Sequence, residues 1–219
     1  MQRTLLVDHN TLVRTGIKYL LEKVPDIGVV AEAASAEEAL KCARQQPLDI
    51  IIVEWSMPGL GGFELIPKLI KQQPLAKIVV VTDHCDAPFP NRLLKAGAVG
   101  FISKATTLGE FIAGIKSIVA GRLFVSADVA QQMACAVMVS DSPFDELSDR
   151  EMQVMKMTIE GLGLHDVSQR LCLSPKTVST YRYRMYEKLG IRSEVELTRL
   201  ALRYGFLDRH ADFKSSHAA

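Results

Sequence analysis

Four polar side chains of the sequence stand where predicted apolar strands end. Asp8 and Glu54 directly follow two of these strands. Thr82 follows a third strand, and Lys104 lies two residues beyond a fourth. In an open parallel sheet, ligand chemistry takes place outside the carboxyl ends of the strands. Two acids, a hydroxyl and an amine at this one edge therefore predict a single chemical site.

Each of these residues alone has an ordinary structural explanation. Asp8 would cap the next helix, Thr82 would simply end a strand, and Lys104 would be solvated. Their combination, with each residue at the correct end of a different strand, favours a functional site. The stretch around Glu54, IIVEWSMPGLGG (51–62), adds glycines that we expect to shape the loop after the strand. It lacks the Gly-Lys-Ser/Thr of a phosphate-binding loop, and the chain has neither H-E-x-x-H nor a nucleophile elbow, so we expect no enzyme.

Five predicted units, each a strand followed by a helical stretch, position these side chains. The first, third and fourth apolar runs are continuous, as in central parallel strands that are buried on both faces. End signals mark the helices between them, such as the capping-box spacing of Ser35 and Glu38 and the stop at Gly121. The predicted strands are 4–7, 27–33, 49–53, 77–81 and 98–102. This alternation predicts an α/β domain with a doubly wound, five-stranded parallel sheet and helices on both faces.

The composition is that of an ordinary globular protein. Among 219 residues, Lys and Arg number 26 and Asp and Glu number 25, so any nucleic-acid contact must come from a local basic patch. The four cysteines are scattered, with no C-x-x-C motif, which argues against zinc and a disulfide framework and favours the cytoplasm. The chain has no apolar run long enough for a membrane span and no signal-peptide pattern at its N-terminus. We expect no cofactor.

The character of the sequence changes after residue 121. The segment 122–143 is predicted as a linker that contains a helix capped by Ser126, and Pro143 with its small polar neighbours breaks that helix. We place the domain boundary near 140. The first domain then spans 1–121 and the second 144–210, and the tail 211–219 is expected to be disordered.

The second domain is predicted to be all α-helical, with four helices. Ser148 and Glu151 form a capping-box pair at the start of the first helix, which ends at Gly161. The third helix begins with Ser174 as cap and Pro175 at the first helical position, and stops at Gly190. Two helices joined by a tight turn, the second rich in basic and hydroxyl residues, form the pattern of a helix-turn-helix.

The third helix of this domain carries the local basic patch. Residues 174–192 contain five basic residues against one acid, Glu187, in a chain of net charge +1. Helical spacing turns four apolar or aromatic residues to the core: Val178, Tyr181, Met185 and Leu189. The opposite face then presents Ser179, Thr180, Arg182 and Tyr183, which suit base edges in the major groove, and the flanking cations Lys176, Arg184 and Lys188, which suit phosphates. A solvated basic face is the alternative, but the capped helix and short turn before this helix favour DNA binding.

Both halves together resemble a response regulator of the NarL/FixJ group, with a flavodoxin-like receiver domain and a LuxR-type helix-turn-helix. The motifs LSDRE, EG, LSPKTVSTYRYRMYEKLGI and LTRLALRYG carry this resemblance, which covers nearly all of residues 3–208. SPKTVSTYRYRM, and APFP before LLKAGAVGFISK, are most similar to the GacA/UvrY branch. The resemblance implies a phosphorelay from a hybrid sensor kinase and activation of genes for small regulatory RNAs or of virulence-type genes.

The resemblance also assigns roles to the residues at the strand ends. Thr82 matches the switch hydroxyl, Lys104 the phosphate-binding lysine and Phe101 the switch aromatic residue. The phosphoaccepting aspartate of the family aligns with Glu54, and its pair of acids after the first strand aligns with Asp8 and His9. The DNA-reading positions fall on Ser179, Thr180 and Tyr183. A smaller departure is Gly163, which replaces a polar residue.

Two departures from the family pattern, His9 and Glu54, affect phosphoryl transfer. This reaction needs in-line geometry and charge neutralisation by a divalent metal. Mg²⁺ prefers oxygen ligands, whereas His9 offers a nitrogen. Glu54 is one methylene longer than aspartate, so its oxygens are displaced by on the order of 1.5 Å, and a misplacement of ~1 Å can lower a rate roughly a hundredfold. We therefore expect no metal at this site and no phosphorylation by the usual route.

Two hypotheses follow for such a site. In the first, Glu54 reaches Lys104 and imitates part of the phosphorylated state, so that the regulator is constitutively active. In the second, protonated His9 replaces the metal charge between Asp8 and Glu54, and the site is structural and sensitive to pH.

The expected partners are double-stranded DNA with an inverted-repeat site and a second copy of the chain. The fourth helix of the second domain, around Leu197 to Ala201, is the candidate dimer surface, and a two-fold dimer implies a palindromic site. An alternative function is an interaction module that is independent of phosphorylation and pairs with a sensor kinase or a phosphorylatable paralogue.

Overall fold

The computed structural model describes residues 1–59, 62–85, 89–137, 142–204 and 206. The chain divides into two compact units, Met1–Ala134 and Cys135–Ala219. The predicted tail, 211–219, and the predicted boundary near 140 lie outside the described residues. None of the described helices combines the length and the apolar character needed to cross a membrane.

The first unit is built on a parallel sheet in the order β2-β1-β3-β4-β5-β6. Its strands are β1 (Gln2–Val7), β2 (Ile27–Ala33), β3 (Ile50–Val53), β4 (Lys77–Thr82), β5 (Gly100–Ser103) and β6 (Phe124–Val125). The helices are α1 (Thr11–Leu21), α2 (Ala36–Gln45), α3 (Gly62–Gln72), α4 (Phe89–Lys95) and α5 (Leu108–Val119). A sixth helix, α6 (Ala127–Val137), begins in this unit. The predicted doubly wound α/β class is confirmed.

The strand order reverses between β1 and β3, and this reversal positions the site. β1 pairs with β2 on one side and with β3 on the other, and Val7 lies opposite Val53 in the β1/β3 register. The residues that follow these two valines therefore emerge side by side at a topological switch point, where open α/β sheets bind ligands. β3 is buried along its whole length, as its unbroken apolar run predicted.

The sheet has one strand more than the five that were predicted. β6 is two residues long and pairs in parallel with β5, Gly100 opposite Phe124 and Phe101 opposite Val125. A segment of two residues shows no periodicity, so its sequence carries no strand signal.

The start of α6 is attached to β5. Ser126 holds the predicted cap position, since its carbonyl accepts from the Ala130 N–H at 2.9 Å. Its hydroxyl, however, accepts from the Ser103 N–H at 3.1 Å and donates to the Asp128 carboxylate at 2.7 Å. Glu110 accepts from the first amide of α6, that of Ala127, at 2.7 Å. The segment predicted as a linker, 122–143, thus begins inside the first unit.

The described residues of the second unit form a 3-10 turn and four helices. The turn is Pro143–Glu146, and the helices are α7 (Asp149–Ile159), α8 (Leu164–Arg170), α9 (Pro175–Leu189) and α10 (Glu194–Arg203). A core of Val154, Val167, Leu171 and Val178 joins α7, α8 and α9. The predicted capping box of Ser148 and Glu151 and the predicted left-handed end at Gly190 are both present. Gly163 precedes α8 and, without a side chain, provides no side-chain cap.

The dimer surface on α10 stays a prediction, but two of the residues named for it are not accessible to a second copy. Leu197 and Ala201 are completely buried within the second unit, because α10 packs against α7. The apolar spacing that marked a surface therefore belongs to the domain's own core. On the same helix Val195 is exposed.

Candidate functional site

Glu54 lies at the centre of the site at the strand ends and is almost completely buried, at 3% exposure. Its backbone N–H donates to the Val7 carbonyl at 2.8 Å and continues the β1/β3 pairing beyond the strand. Its Oε1 accepts from the Thr82 hydroxyl at 2.8 Å and from the Ser56 N–H at 2.7 Å. Its Oε2 lies 2.8 Å from Lys104 Nζ. Both carboxylate oxygens are therefore held by donors from three different segments.

Lys104 joins the two acids of the site. Its Nζ lies 2.6 Å from Asp8 Oδ2 in addition to its contact with Glu54, and Asp83 stands farther away at 4.0 Å. Burial alone would lower the pKa of Lys104, but the carboxylates of Glu54 and Asp8 outweigh it and raise this pKa above the usual value of 10.5. The ammonium group therefore carries its charge throughout the neutral range.

His9 lies at the edge of the site. Its Nδ1 is 3.7 Å from Asp8 Oδ1, and its side chain is 50% exposed. Among the described residues, the cation that bridges Asp8 and Glu54 is Lys104, so His9 does not occupy the place that the second hypothesis gave it. Asp8 Oδ1 accepts from the Asn10 N–H at 2.8 Å, and Asn10, not Asp8, caps α1.

The two predicted switch residues are both buried, and Thr82 contacts Glu54. Thr82 ends β4 and Phe101 lies in β5, and neither is exposed to solvent. The Lys104 N–H donates to the Thr82 carbonyl at 2.9 Å, which extends the β4/β5 pairing up to the lysine. The structure thus brings together Asp8, Glu54, Thr82 and Lys104, with Phe101 on the neighbouring strand.

One residue of this site, Arg14, was not predicted from the sequence. Its Nη1 donates to the Asp8 carbonyl at 2.6 Å, and its Nε lies 3.5 Å from the Glu32 carboxylate. Lys18 contacts Glu32 as well, and its hydrogen bond is the main reason that the pKa of Glu32 is lowered. Since Arg14 binds a backbone carbonyl, which every residue possesses, no residue type at position 8 signals the contact.

The resemblance implies a Mg²⁺ ion at this edge, and the residues present do not fit it. Mg²⁺ requires several oxygen ligands in near-octahedral geometry. The two carboxylates of the site are both bound by the Lys104 ammonium, and an imidazole stands in place of the further acid. Within the described part of the chain, no group of three or more His, Cys, Asp or Glu is placed to hold a metal ion.

The second candidate site is the basic face of α9. Val178, Met185 and Leu189 are buried as predicted, and Tyr181 is half-buried. Six of the seven predicted DNA contacts are exposed: Lys176, Ser179, Thr180, Tyr183, Arg184 and Lys188. Tyr183 is 69% exposed, so its ring and its hydroxyl are accessible to a partner.

Two of the seven predicted DNA contacts, Arg182 and Lys188, form ion pairs within the domain. Arg182 Nη2 lies 2.8 Å from Glu194 and donates to the Tyr186 hydroxyl at 3.2 Å. Lys188 Nζ lies 2.6 Å from the carboxylate of Glu151. These two cations connect α9 to α10 and to α7, so they position the basic helix.

The ion pair of Lys188 and Glu151 predicts a stability that depends on pH. Burial would raise the pKa of Glu151, but the Lys188 ammonium and the bonds to Ser148 outweigh it and lower this pKa below 4.5. The pair then contributes stability above pH 4.5 that is lost as the pH falls through the folded value. Because Lys188 is 37% exposed, we expect Lys188→Met to lower the free energy of unfolding by only about 1.5 kcal/mol at neutral pH.

Thermal unfolding of the full chain measures this effect. The difference between the unmodified chain and Lys188→Met should shrink as the pH is lowered below 4.5. Lys176→Met removes an exposed cation from the same helix and should leave the unfolding temperature unchanged. A difference that persists at acid pH would mean that Lys188 acts by packing and not by charge.

Two family models match the chain. Residues 4–116 match the response regulator receiver domain, and residues 145–201 match the bacterial regulatory proteins of the LuxR family. The chain is 45% identical to the response regulator GacA of Pseudomonas viridiflava over 214 residues. This match covers 96% of this chain and 100% of GacA. It is 42% identical to the response regulator UvrY of Escherichia coli K12 over 208 residues, a match that covers 94% of this chain and 95% of UvrY.

Solved structures share the fold. A structure of the response regulator RcsB of Salmonella typhimurium covers 93% of this chain and 98% of its own, with a TM-score of 0.72 and 20% identity. A structure of an RcsB–DNA complex matches 92% of this chain and 98% of the RcsB chain, with a TM-score of 0.60 and 21% identity. At this identity the likeness establishes the architecture alone.

Proposed function

The chain belongs to the response regulators that join a receiver domain to a LuxR-family domain, and we propose that it is a DNA-binding transcription regulator whose receiver is held in an activated arrangement by Glu54 without phosphorylation. Like its GacA and UvrY relatives it is a response regulator and not an enzyme, and we expect it to act in the cytoplasm.

The observation that carries this proposal is the set of donors around the Glu54 carboxylate. A phosphoryl group on a shorter aspartate would present its oxygens to the switch hydroxyl and the phosphate-binding lysine, which the resemblance assigns to Thr82 and Lys104. Here the additional methylene of Glu54 carries its own oxygens to these groups, at 2.8 Å in each case. The Glu54 carboxylate thus makes, without phosphorylation, the contacts that a phosphoryl group would otherwise create.

The surroundings of Glu54 argue against phosphoryl transfer to it. Its oxygens already accept from Thr82 and Ser56 and contact Lys104, and these donors make the carboxylate a weaker nucleophile toward a phosphoryl group. The residues at the site do not fit the Mg²⁺ ion that would neutralise the transferred group. Of the two hypotheses for the site, these contacts favour the first, in which Glu54 replaces the phosphorylation event.

DNA binding by α9 is supported by the chemistry of its exposed face. Ser179, Thr180 and Tyr183 present hydroxyl groups near the helix N-terminus, where such side chains contact base edges in a major groove. Lys176 and Arg184 are exposed on the same helix and suit phosphates. The GacA/UvrY resemblance makes promoters of small regulatory RNA genes the first probes.

Two substitutions on α9 should separate base reading from phosphate contact. We expect Ser179→Ala to reduce the preference for the specific promoter fragment by about 1 kcal/mol, since base-edge contacts carry sequence discrimination. We expect Arg184→Ala to weaken specific and non-specific binding equally and to reduce the slope of log affinity against log salt by about 1. Electrophoretic mobility shifts at several salt concentrations measure both effects.

Lys188→Ala is the matched control for Arg184→Ala, because both remove a cation from α9 but Lys188 is bound to Glu151. A chain that binds no promoter fragment at any salt concentration would contradict the proposal. It would favour instead the interaction module that pairs with a sensor kinase or a paralogous regulator.

A further inference from the structure

Trp55, the residue directly after Glu54, is buried beside the site and is the only tryptophan of the sequence. Its indole Nε1–H donates to the backbone carbonyl of His84 at 3.2 Å. The ring stacks on Phe89 at a centroid distance of 4.6 Å and lies against Phe63 at 5.4 Å. The side chain therefore connects the loop after β3 to the segment that follows β4.

The residue that Trp55 binds also determines how Thr82 is oriented. The His84 N–H donates to Thr82 Oγ1 at 3.1 Å. With an N–H directed at its oxygen, the Thr82 hydroxyl has its own proton available for an acceptor, and that acceptor is Glu54 Oε1 at 2.8 Å. A series of three hydrogen bonds thus runs from Trp55 through His84 and Thr82 back to Glu54, the neighbour of Trp55 in the chain.

The backbone of Trp55 is itself fixed by a close approach. The Gly62 N–H donates to the Trp55 carbonyl at 2.8 Å. A Cβ added to Gly62 would collide with the Trp55 Cβ and lie 2.7 Å from its Cα. The indole is thus anchored by its ring, by its N–H and by its main chain.

We infer that Trp55 is a positioning residue that clamps the backbone of His84 so that the Thr82 hydroxyl donates to Glu54. The indole binds the His84 carbonyl, and the His84 N–H, which belongs to the preceding peptide unit, thereby stays directed at Thr82 Oγ1. This inference rests on the proposed function for its effect on DNA binding, because the Thr82–Glu54 contact affects activity only if Glu54 replaces the phosphoryl group. The clamp itself is a structural statement that can be tested without DNA.

Trp55→Phe in the full chain tests the clamp, because phenylalanine keeps an aromatic ring and removes the N–H donor. The measurement is the hydrogen-exchange rate of the His84 backbone amide, followed by NMR. We expect a rate about fivefold higher than in the unmodified chain, the factor that corresponds to a typical net hydrogen bond. Phe63→Leu is the matched control, since it loosens the aromatic contact with Trp55 and leaves the indole N–H in place. An unchanged rate in Trp55→Phe, or an equal rise in Phe63→Leu, would overturn the inference.

A double-mutant cycle on DNA affinity tests the path through Thr82. We expect Trp55→Phe and Thr82→Val each to weaken promoter binding, and the combined variant to bind no more weakly than Thr82→Val alone. Losses that add would show that Trp55 acts by another path and would also overturn the inference. If Thr82→Val leaves DNA affinity unchanged, the proposed function fails, and the exchange rate of the His84 amide alone decides whether the clamp exists.

Discussion

Replacing His9 and Glu54 together with aspartate should restore labelling of the receiver by acetyl phosphate, at a rate at least about a hundredfold above that of the unmodified chain. The shorter carboxylate at position 54 removes a methylene, so the acceptor oxygens withdraw from Lys104 and Thr82 and leave room for the incoming phosphoryl group. The new acid at position 9 provides an oxygen ligand for Mg²⁺ beside Asp8. Mass spectrometry of the intact chain after incubation with acetyl phosphate and Mg²⁺ measures the fraction labelled.

The single variants are the controls for this experiment. Glu54→Asp alone restores the acceptor but lacks the metal ligand, and His9→Asp alone restores the ligand but keeps the longer acceptor. Each should label more slowly than the double variant, because phosphoryl transfer needs both the geometry and the charge neutralisation. Labelling of the unmodified receiver at a rate similar to that of the double variant would show that these two departures do not impair phosphorylation.

Removal of the Lys104 ammonium should lower the free energy of unfolding more than any other single substitution proposed for this chain. Asp8 and Glu54 are both buried, and Lys104, only 13% exposed at its side chain, is the cation that lies between them. We expect Lys104→Met to lower the free energy of unfolding by about 3 kcal/mol, since removing one partner leaves uncompensated buried charge. Adding Glu54→Gln to Lys104→Met should recover part of this loss, because it removes one of the two unpaired carboxylates.

The pH dependence of the Lys104 effect follows from the direction of its pKa shift. The pKa of Lys104 is raised above 10.5, so its stabilising contribution is complete below that value and is lost as the pH rises through the folded pKa. The loss caused by Lys104→Met should therefore be the same at about pH 6 and about pH 9. Denaturant unfolding at these two values measures it. Lys18→Met, which removes the exposed partner of Glu32, should change stability by less than about 1 kcal/mol. A similarly small effect of Lys104→Met would contradict the bridging role of Lys104.

Much of the first unit follows from the sequence because its strands are strongly encoded. Ile50–Val53 is continuous, apolar and β-branched, which specifies a buried parallel strand, and the chain order then places Asp8 and Glu54 side by side. β6 could not be predicted in this way, since two residues contain no period. The helix caps at Ser148 and Ser174 could be predicted because a serine at the N-cap position typically accepts a hydrogen bond from a backbone N–H of the first helical turn.

The finer arrangement of side chains could not be predicted from sequence. The sequence predicted Lys188 as a phosphate contact and Arg182 as a base-edge contact. Their partners Glu151 and Glu194 are distant in sequence and are brought near only by helix packing. The apolar spacing of Leu197 and Ala201 identified a buried face without saying whether the domain itself or a second copy covers it. The indole of Trp55 and the carbonyl of His84 are likewise distant in sequence, and tertiary packing brings them together without a sequence motif that would predict the contact.

The central claim is that the Glu54 carboxylate holds the receiver in its activated arrangement, and promoter affinity without any phosphodonor tests it most directly. The measurement compares the unmodified full chain with Glu54→Gln, which preserves the volume of the side chain and removes its charge. We predict that the unmodified chain binds its promoter and that Glu54→Gln binds about tenfold more weakly, since a hydrogen bond to a charged group contributes about 1.5–3 kcal/mol. Thermal unfolding checks that both proteins are folded. Equal promoter affinity of the two folded proteins would contradict the claim.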